Sequence, residues 1–230
     1  MRKMSAQHWG KYLVGCVRPR SANAGKSIKL LIMSIHRNLL SVFCLLLAGC
    51  SADNPAPASG DQFQSTAAGL CVEDKRTDLT WEVKTDTSGL HDWRNTYTWF
   101  NPDEAQGELD YRGLQDGGEC GASRCDTTDF VRAVNEAGHC GFNDWRMPSR
   151  NELMSISDLG RAENPPTANR EFFPFMQADE YWTGYDYAMQ YESAWAWNFF
   201  YGHDRVDWKR TAKFVRLVRG KSKELEEVKE

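Results

Sequence analysis

The apolar run near the N-terminus is too short to cross a membrane as a helix. The run from Leu39 to Leu47, broken by Ser41, falls well short of the roughly 20 residues required. Acid is missing from the first 50 residues, which carry eight Lys and Arg and no Asp or Glu. Residues 51–230 are left with 20 basic against 32 acidic residues, a formal −12 hidden inside the −4 of the whole chain. That excess argues against nucleic acid or anionic lipid headgroups as partners of the body. Histidine is scarce: the body has only His91, His139 and His203, and none has a His or Cys four residues on to make a metal pair. No serine stands in a nucleophile elbow, no cysteines are spaced C-x-x-C, and no internal repeat is present. Gly25-Lys26-Ser27 ends like a phosphate loop, but Arg20 occupies the position of that motif's first glycine. Hydrophobic residues make up 41% of the chain at a mean hydropathy of −0.62, enough for a core under a very polar surface.

What the first 50 residues do contain reads as an export signal. His36 and Arg37 precede the apolar run, and Ala48-Gly49-Cys50 closes it with small residues. Leu47-Ala48-Gly49-Cys50 has the form of a bacterial lipobox, in which Cys50 is acylated and becomes the mature N-terminus. An ordinary signal cleaved nearby is the alternative. Met33 stands where such a signal begins, so residues 1–32 read as an over-extended start or a long basic region. Ser51 after the lipid cysteine matches lipoproteins sent to the outer membrane, giving an expected cell-envelope address. Residues 51–69, rich in Ala, Pro, Ser and Gly, read as a flexible tether.

Of seven cysteines, Cys71, Cys120, Cys125 and Cys140 fall in the body. An even number in an exported chain implies two disulfides. Asp126 to Ala137 reads as a helix, with Asp126 as its N-cap and Gly138 as its stop. Such a helix spans roughly 18 Å, while a disulfide needs Cα atoms within about 7 Å. Cys125 and Cys140, at its two ends, therefore cannot pair. Cys120–Cys125 with Cys71–Cys140 is preferred because the short loop closes easily; Cys71–Cys125 with Cys120–Cys140 stays open. Zinc is the other use of four cysteines, disfavoured by their spacing and by the oxidising compartment.

Residues 70–220 form the expected domain. Leu70–Glu73 and Leu79–Val83 alternate around the polar turn 74–78 as a hairpin. Lys84 to Glu119 is a long loop anchored by Trp93, Tyr97, Trp99 and Phe100. After the first helix comes the stretch His139 to Leu153. Pro148 turns the chain, and Ser149 with Glu152 forms a capping box that starts a second helix. A further irregular stretch, 157–176, leads to strands at 181–184, 193–201, 205–209 and 213–218, with a hairpin turn at 201–204. Residues 221–230 make a charged tail. The order gives an α+β fold: two short helices against a mostly antiparallel sheet, with long loops and two disulfides.

Asp78-Leu79-Thr80-Trp81, Asn143-Asp144-Trp145-Arg146-Met147-Pro148-Ser149-Arg150-Asn151-Glu152-Leu153, Tyr181-Trp182, Ala194-Trp195 with Asn198-Phe199 and Gly202, and Val215 to Gly220 occur in that order. Over residues 70–220 this pattern resembles the Lcl C-terminal domain family, long catalogued as a domain of unknown function. The resemblance implies a C-type-lectin-like fold whose terminal strands pair and whose long loops carry ligands. The family's best-known member is an adhesin that binds sulfated glycosaminoglycans as a trimer. This chain departs from it in lacking a collagen-like stalk and in its acidic body, which repels sulfated polymers at long range. The Trp-Arg-hydrophobic-Pro sequence at 145–148 is also similar to one in the formylglycine-generating enzymes. Their catalytic cysteines lie near the C-terminus, and no cysteine follows Cys140 here.

Eight tryptophans fall in the body. Trp81, Trp145, Trp182 and one of Trp195 and Trp197 are assigned to the core. Trp93, Trp99 and Trp208 are the candidates for a sugar-stacking platform, with Asn143 and Asp144 as polar partners. The same Asn143 and Asp144, with Asp158, Asp179 or Glu180, offer oxygens to a calcium ion, against the simpler reading of a turn ahead of Trp145. His139 follows a helix end, where a cation suits the dipole. Arg146 is expected to pair with Asp144 or Glu152. The functional expectation is a lipid-anchored binding or adhesion module, not an enzyme, with no metal or cofactor required. Its ligand would be a glycan, and the alternative is an envelope assembly protein working through protein contacts.

Overall fold

A computed structural model describes residues 62–106, 109–222 and 225. The signal, Cys50, residues 51–61 and most of the charged tail lie outside the described residues.

Four strands build the first sheet. β1 (Phe63–Thr66), β2 (Cys71–Asp74), β3 (Leu79–Glu82) and β9 (Val218–Arg219) lie in the order β1-β2-β3-β9, all antiparallel. The β2–β3 turn is local chemistry: Asp74 Oδ1 accepts the Arg76 amide at 3.0 Å, and Asp78 takes φ 58°, a conformation aspartate tolerates. β1 falls inside the stretch expected as a tether. Its only large apolar residue, Phe63, packs on Phe172 and Phe173 from the second irregular region. A 2-residue hairpin, β4 (Ala105–Gln106) with β5 (Leu109–Asp110), punctuates the long loop.

The second sheet runs β6 (Glu180–Asp186), β7 (Ser193–Asn198), β8 (His203–Trp208), in that order. The β7–β8 turn sits two residues earlier than expected, because Asn198 Oδ1 accepts the amides of Phe200 and Tyr201 and closes it at residues 199–202. Each sheet divides its side chains between two cores, as a period of two requires. Val72, Leu79 and Trp81 join Tyr181, Trp197, Phe199, Leu153 and Phe173 in one core. Cys71 joins Trp182, Ala194, Ala196, Tyr97, Phe130, Trp145, Val215 and Leu217 in the other. All four residues of β3 are buried, since β2 and β9 cover its edges and both cores cover its faces.

α1 (Thr127–Ala137) begins where Asp126 accepts the Asp129 amide and ends at Gly138 in the left-handed region, φ 64°. α2 (Arg150–Ser155) starts on the complete Ser149/Glu152 capping box. The closing strand expected over 213–218 is a strand only at Val218–Arg219. Upstream, the segment is extended but shared between neighbours. Lys213 exchanges amide bonds with Tyr97, Phe214 bonds Trp182 and Glu180, and Leu217 bonds Glu82. It threads between the two sheets, so Lys213, Val215, Arg216 and Leu217 are all buried and no alternation survives. No helix among the described residues is long and apolar enough to cross a membrane.

Candidate functional site

Five chain segments enclose a cleft of about 560 Å³, within the size range of small-ligand sites. One wall is Trp99, Phe100 and Asn101 from the long loop. The N-terminal turns of α1 supply Thr127, Thr128 and Val131, and the stretch His139 to Leu153, the hub of the domain, supplies Arg146, Met147, Ser149 and Glu152. Gly184 and Tyr185 come from β6, Lys221 and Ser222 from beyond β9.

Local rules place these groups. Both Thr127 and Thr128 donate to the Phe100 carbonyl, and Thr127 Oγ1 accepts the Phe100 amide at 2.9 Å, so the loop is stitched to the helix start. The register of β6 on β7 shifts between Trp182 and Asp186. Such irregularities re-aim side chains, and here Tyr185 is left 44% exposed at the cleft. Gly184 donates to the Pro148 carbonyl at 2.8 Å, and a Cβ there would meet Met147 at 3.0 Å. A larger residue there would have to push Met147 back by a few tenths of an ångström, so the close approach of β6 to the hub favours glycine. Arg146 makes a two-pronged pair with Glu152, at 2.8 and 2.6 Å, and reaches the Gly220 carbonyl at 2.8 Å. Burial disfavours the Arg146 cation, but Glu152 outweighs it and holds the guanidinium pKa above its ordinary value. Glu152 also accepts the Ser149 amide at 2.8 Å. The cleft thus presents aromatic faces beside an ion pair whose members already satisfy each other, a lining suited to a polar, hydroxyl-rich ligand.

Of the ligand-binding candidates named from sequence, only Trp99 lines this cleft, and it is not a platform. Its ring is 2% exposed, its Nε1 donates to the Thr183 carbonyl at 3.0 Å, and Lys209 lies 4.3 Å over its face. Trp93 is half-buried in its own loop, donating to Asp86 and carrying Arg94 on its ring. Trp208 is exposed on β8 beside Arg210. Asn143 and Asp144 are exposed, but Asp144 grips Arg219 at 2.7 and 3.1 Å, and those bonds hold its carboxyl below the usual range. Asp158 caps a turn at Gly160, Asp179 accepts the Glu180 amide, and Glu180 is taken by Lys213. The calcium set is therefore not assembled: each acid has a local partner, and these acids form no metal-sized cluster among the described residues. Sequence reading missed Phe100, Thr127, Thr128 and Tyr185, whose convergence is purely tertiary. Arg146 with Glu152 was one of its two expected pairs.

Behind the hub lies a second concentration of polar chemistry. Glu82, wholly buried, contacts Lys84 Nζ and His91 Nδ1, both at 2.8 Å, and accepts the Leu217 amide at 2.9 Å. Burial would raise its pKa, but Lys84 and His91 hold it well below the carboxylate range. His91 stacks on His139 with centroids 3.9 Å apart. His139 is buried, not a cation at a helix end: burial and the neighbouring His91 push its pKa down to about 4. The sulfurs pair as Cys71–Cys140 and Cys120–Cys125.

No curated protein and no solved structure matches the chain. The family model of the Lcl C-terminal domain matches residues 70–219, from the start of β2 to the end of β9, both cores and the hub included. By that match the chain belongs to the Lcl C-terminal domain family.

Proposed function

We propose that this protein is an outer-membrane-type lipoprotein, anchored through Cys50, whose Lcl C-terminal domain follows a C-type-lectin-like plan and binds a glycan in the cleft between Phe100, Arg146 and Tyr185. The lectin-like reading draws support from the pairing of the first hairpin with the last strand, and from a long, disulfide-tied loop region beside that pairing. The observation that carries the ligand class is the cleft lining. Tyr185 and Phe100 offer faces to sugar C–H groups, while Asn101 and the Arg146–Glu152 pair stand where hydroxyls need partners. Ser149 caps α2 and Glu152 is held by Arg146, which supports the reading of a binding module over that of an enzyme. The acidic body selects neutral over sulfated polymers.

A glycan array and a peptidoglycan pull-down with the folded mature chain test this. The expected result is a hit whose affinity falls about tenfold with Tyr185→Ala, equal to roughly 1.4 kcal/mol. Blank results from both count against it. Loss of acyl labelling in Cys50→Ala tests the anchor. A second reading, envelope assembly through protein contacts, is favoured by one observation: Leu159, Phe200 and Tyr201 are exposed together beside the β7–β8 turn. Cross-linking in cells that recovers one defined partner, independent of sugar, would select it.

A further inference from the structure

The Cys71–Cys140 disulfide has a third member. Ligand atoms of Cys71, His139 and Cys140 lie within 4.8 Å of one another, the only such group of His, Cys, Asp and Glu side chains among the described residues. Among the described residues the Nε2 of His139 is buried with no hydrogen-bond partner. In the neutral ring one nitrogen carries the proton and the other a lone pair, the form in which histidine takes a metal. Stacking on His91 and packing on Trp145 at 5.3 Å hold the ring in place.

The geometry points to a redox-gated metal site: once the Cys71–Cys140 bond is reduced, the two thiolates and the imidazole of His139 form a Cys2His site for zinc or a similar thiophilic divalent ion. Two zinc-bound thiolates stand about 3.8 Å apart at Zn–S distances of about 2.3 Å. The Cα separation of 6.6 Å lets the side chains reach that spacing with little backbone movement. Cys71 is inaccessible and Cys140 half-buried, so Cys140 Sγ is the sulfur open to attack. The reductant is a dithiol. Its first thiolate attacks Cys140 Sγ, the S–S bond breaks, and Cys71 leaves as a thiolate. Its second thiol then displaces Cys140, and the dithiol becomes a disulfide, having supplied two electrons. Binding of the metal to both thiolates releases to solvent the two protons the dithiol carried. Three protein ligands leave the fourth position to water.

Cobalt titration tests this on the mature chain, reduced anaerobically with a dithiol and then freed of it. Wild type and C120S/C125S, which lacks the other thiol pair, are each expected to give one thiolate-to-cobalt charge-transfer band with tetrahedral visible bands. The oxidised proteins should give neither. His139→Gln, checked in its oxidised form for a native near-UV spectrum, is expected to bind cobalt roughly tenfold or more weakly. Should C120S/C125S not fold, the comparison of wild type with His139→Gln decides. Absence of the charge-transfer band, equal affinity in His139→Gln, or a reduced protein that stays unfolded with metal present would each overturn the site.

Discussion

Replacing Glu82 with glutamine keeps the shape of the side chain and removes the one carboxylate that, among the described residues, is ion-paired with Lys84. The loss falls on two cations that cannot reach water. Lys84 is 5% exposed and Arg216, whose guanidinium donates to the Glu82 carbonyl, is 0% exposed. Burial lowers the pKa of both, and Glu82 opposes that for each. Breaking a buried pair by removing one partner costs about 3–5 kcal/mol. A second route gives the same size: shedding the Lys84 proton at pH 7 from an ordinary pKa near 10.4 costs about 4.6 kcal/mol at 1.36 kcal/mol per unit. Glu82→Gln should therefore destabilise the domain by about 3–5 kcal/mol, a fall in melting temperature of roughly 6–20 °C. Urea unfolding at pH 7 measures the first and calorimetry the second.

The same substitution carries a pH signature. Because the Glu82 carboxyl is depressed in the folded state, its contribution is present above the ordinary value of 4.5 and is lost as pH falls below it. Glu82→Gln should flatten the acid limb of the stability curve. Adding Lys84→Met to Glu82→Gln should recover much of the loss, since a buried pair replaced by apolar groups is often neutral. A Glu82→Gln protein within about 1 kcal/mol of wild type, or a double variant no better than the single one, would refute the reasoning.

Three further outcomes follow from named contacts. Removing Cys71–Cys140, which closes 69 residues, should cost about 4 kcal/mol by chain entropy, against about 2 for Cys120–Cys125, which closes 5; equilibrium unfolding of the two serine pairs compares them. His139, neutral in the folded state down to about pH 4, is protonated in the unfolded chain below about 6.5, so stability should fall by about 1.4 kcal/mol per pH unit across that window as pH drops, and His139→Gln should remove that component in a urea-unfolding series. Asp126→Ala removes the acceptor for the Asp129 and Asp116 amides at the start of α1, and should cost about 1–2 kcal/mol by thermal unfolding.

Elements whose causes lie within a few residues were legible. The Ser149–Glu152 box, the Asp126 cap, the Gly138 stop and the 74–78 turn are all contacts between residues at most four apart, and each formed where the pattern places it. One long-range feature, the Cys71–Cys140 bond, was also the preferred pairing, because the short Cys120–Cys125 loop closes easily; helix length removed only Cys125–Cys140 and left Cys71–Cys125 with Cys120–Cys140 open. Burial of charge and aromatic rings in the loops was not legible. Trp99 is core because its Nε1 finds Thr183, 84 residues on. Lys209, Lys213 and Arg216 lie in or beside strands expected from sequence, yet each is buried because a carbonyl or carboxylate waits inside: Tyr111, Glu180 with Asp207, and Glu82.

The residues that carry the family likeness are those that hold the chain together. Asp144 ties to Arg219, Trp145 to Asn135 and His139, Arg146 to Glu152 and Gly220, and Pro148 to Gly184. One stretch thus joins helix, second sheet and chain end, and its sequence is constrained by those four attachments at once. Apart from Arg146, Met147, Ser149 and Glu152, the groups that line the cleft lie outside that stretch. Phe100, Thr128 and Tyr185 fall between the signature segments, and Lys221 and Ser222 lie past the matched stretch, which ends at 219. On the proposed reading, the shared scaffold sets the fold and the rim residues outside the signature segments set ligand choice. Exchanging Phe100, Tyr185 and Lys221 should therefore change what is bound while leaving the unfolding curve within about 0.5 kcal/mol per site, the range of ordinary surface substitutions.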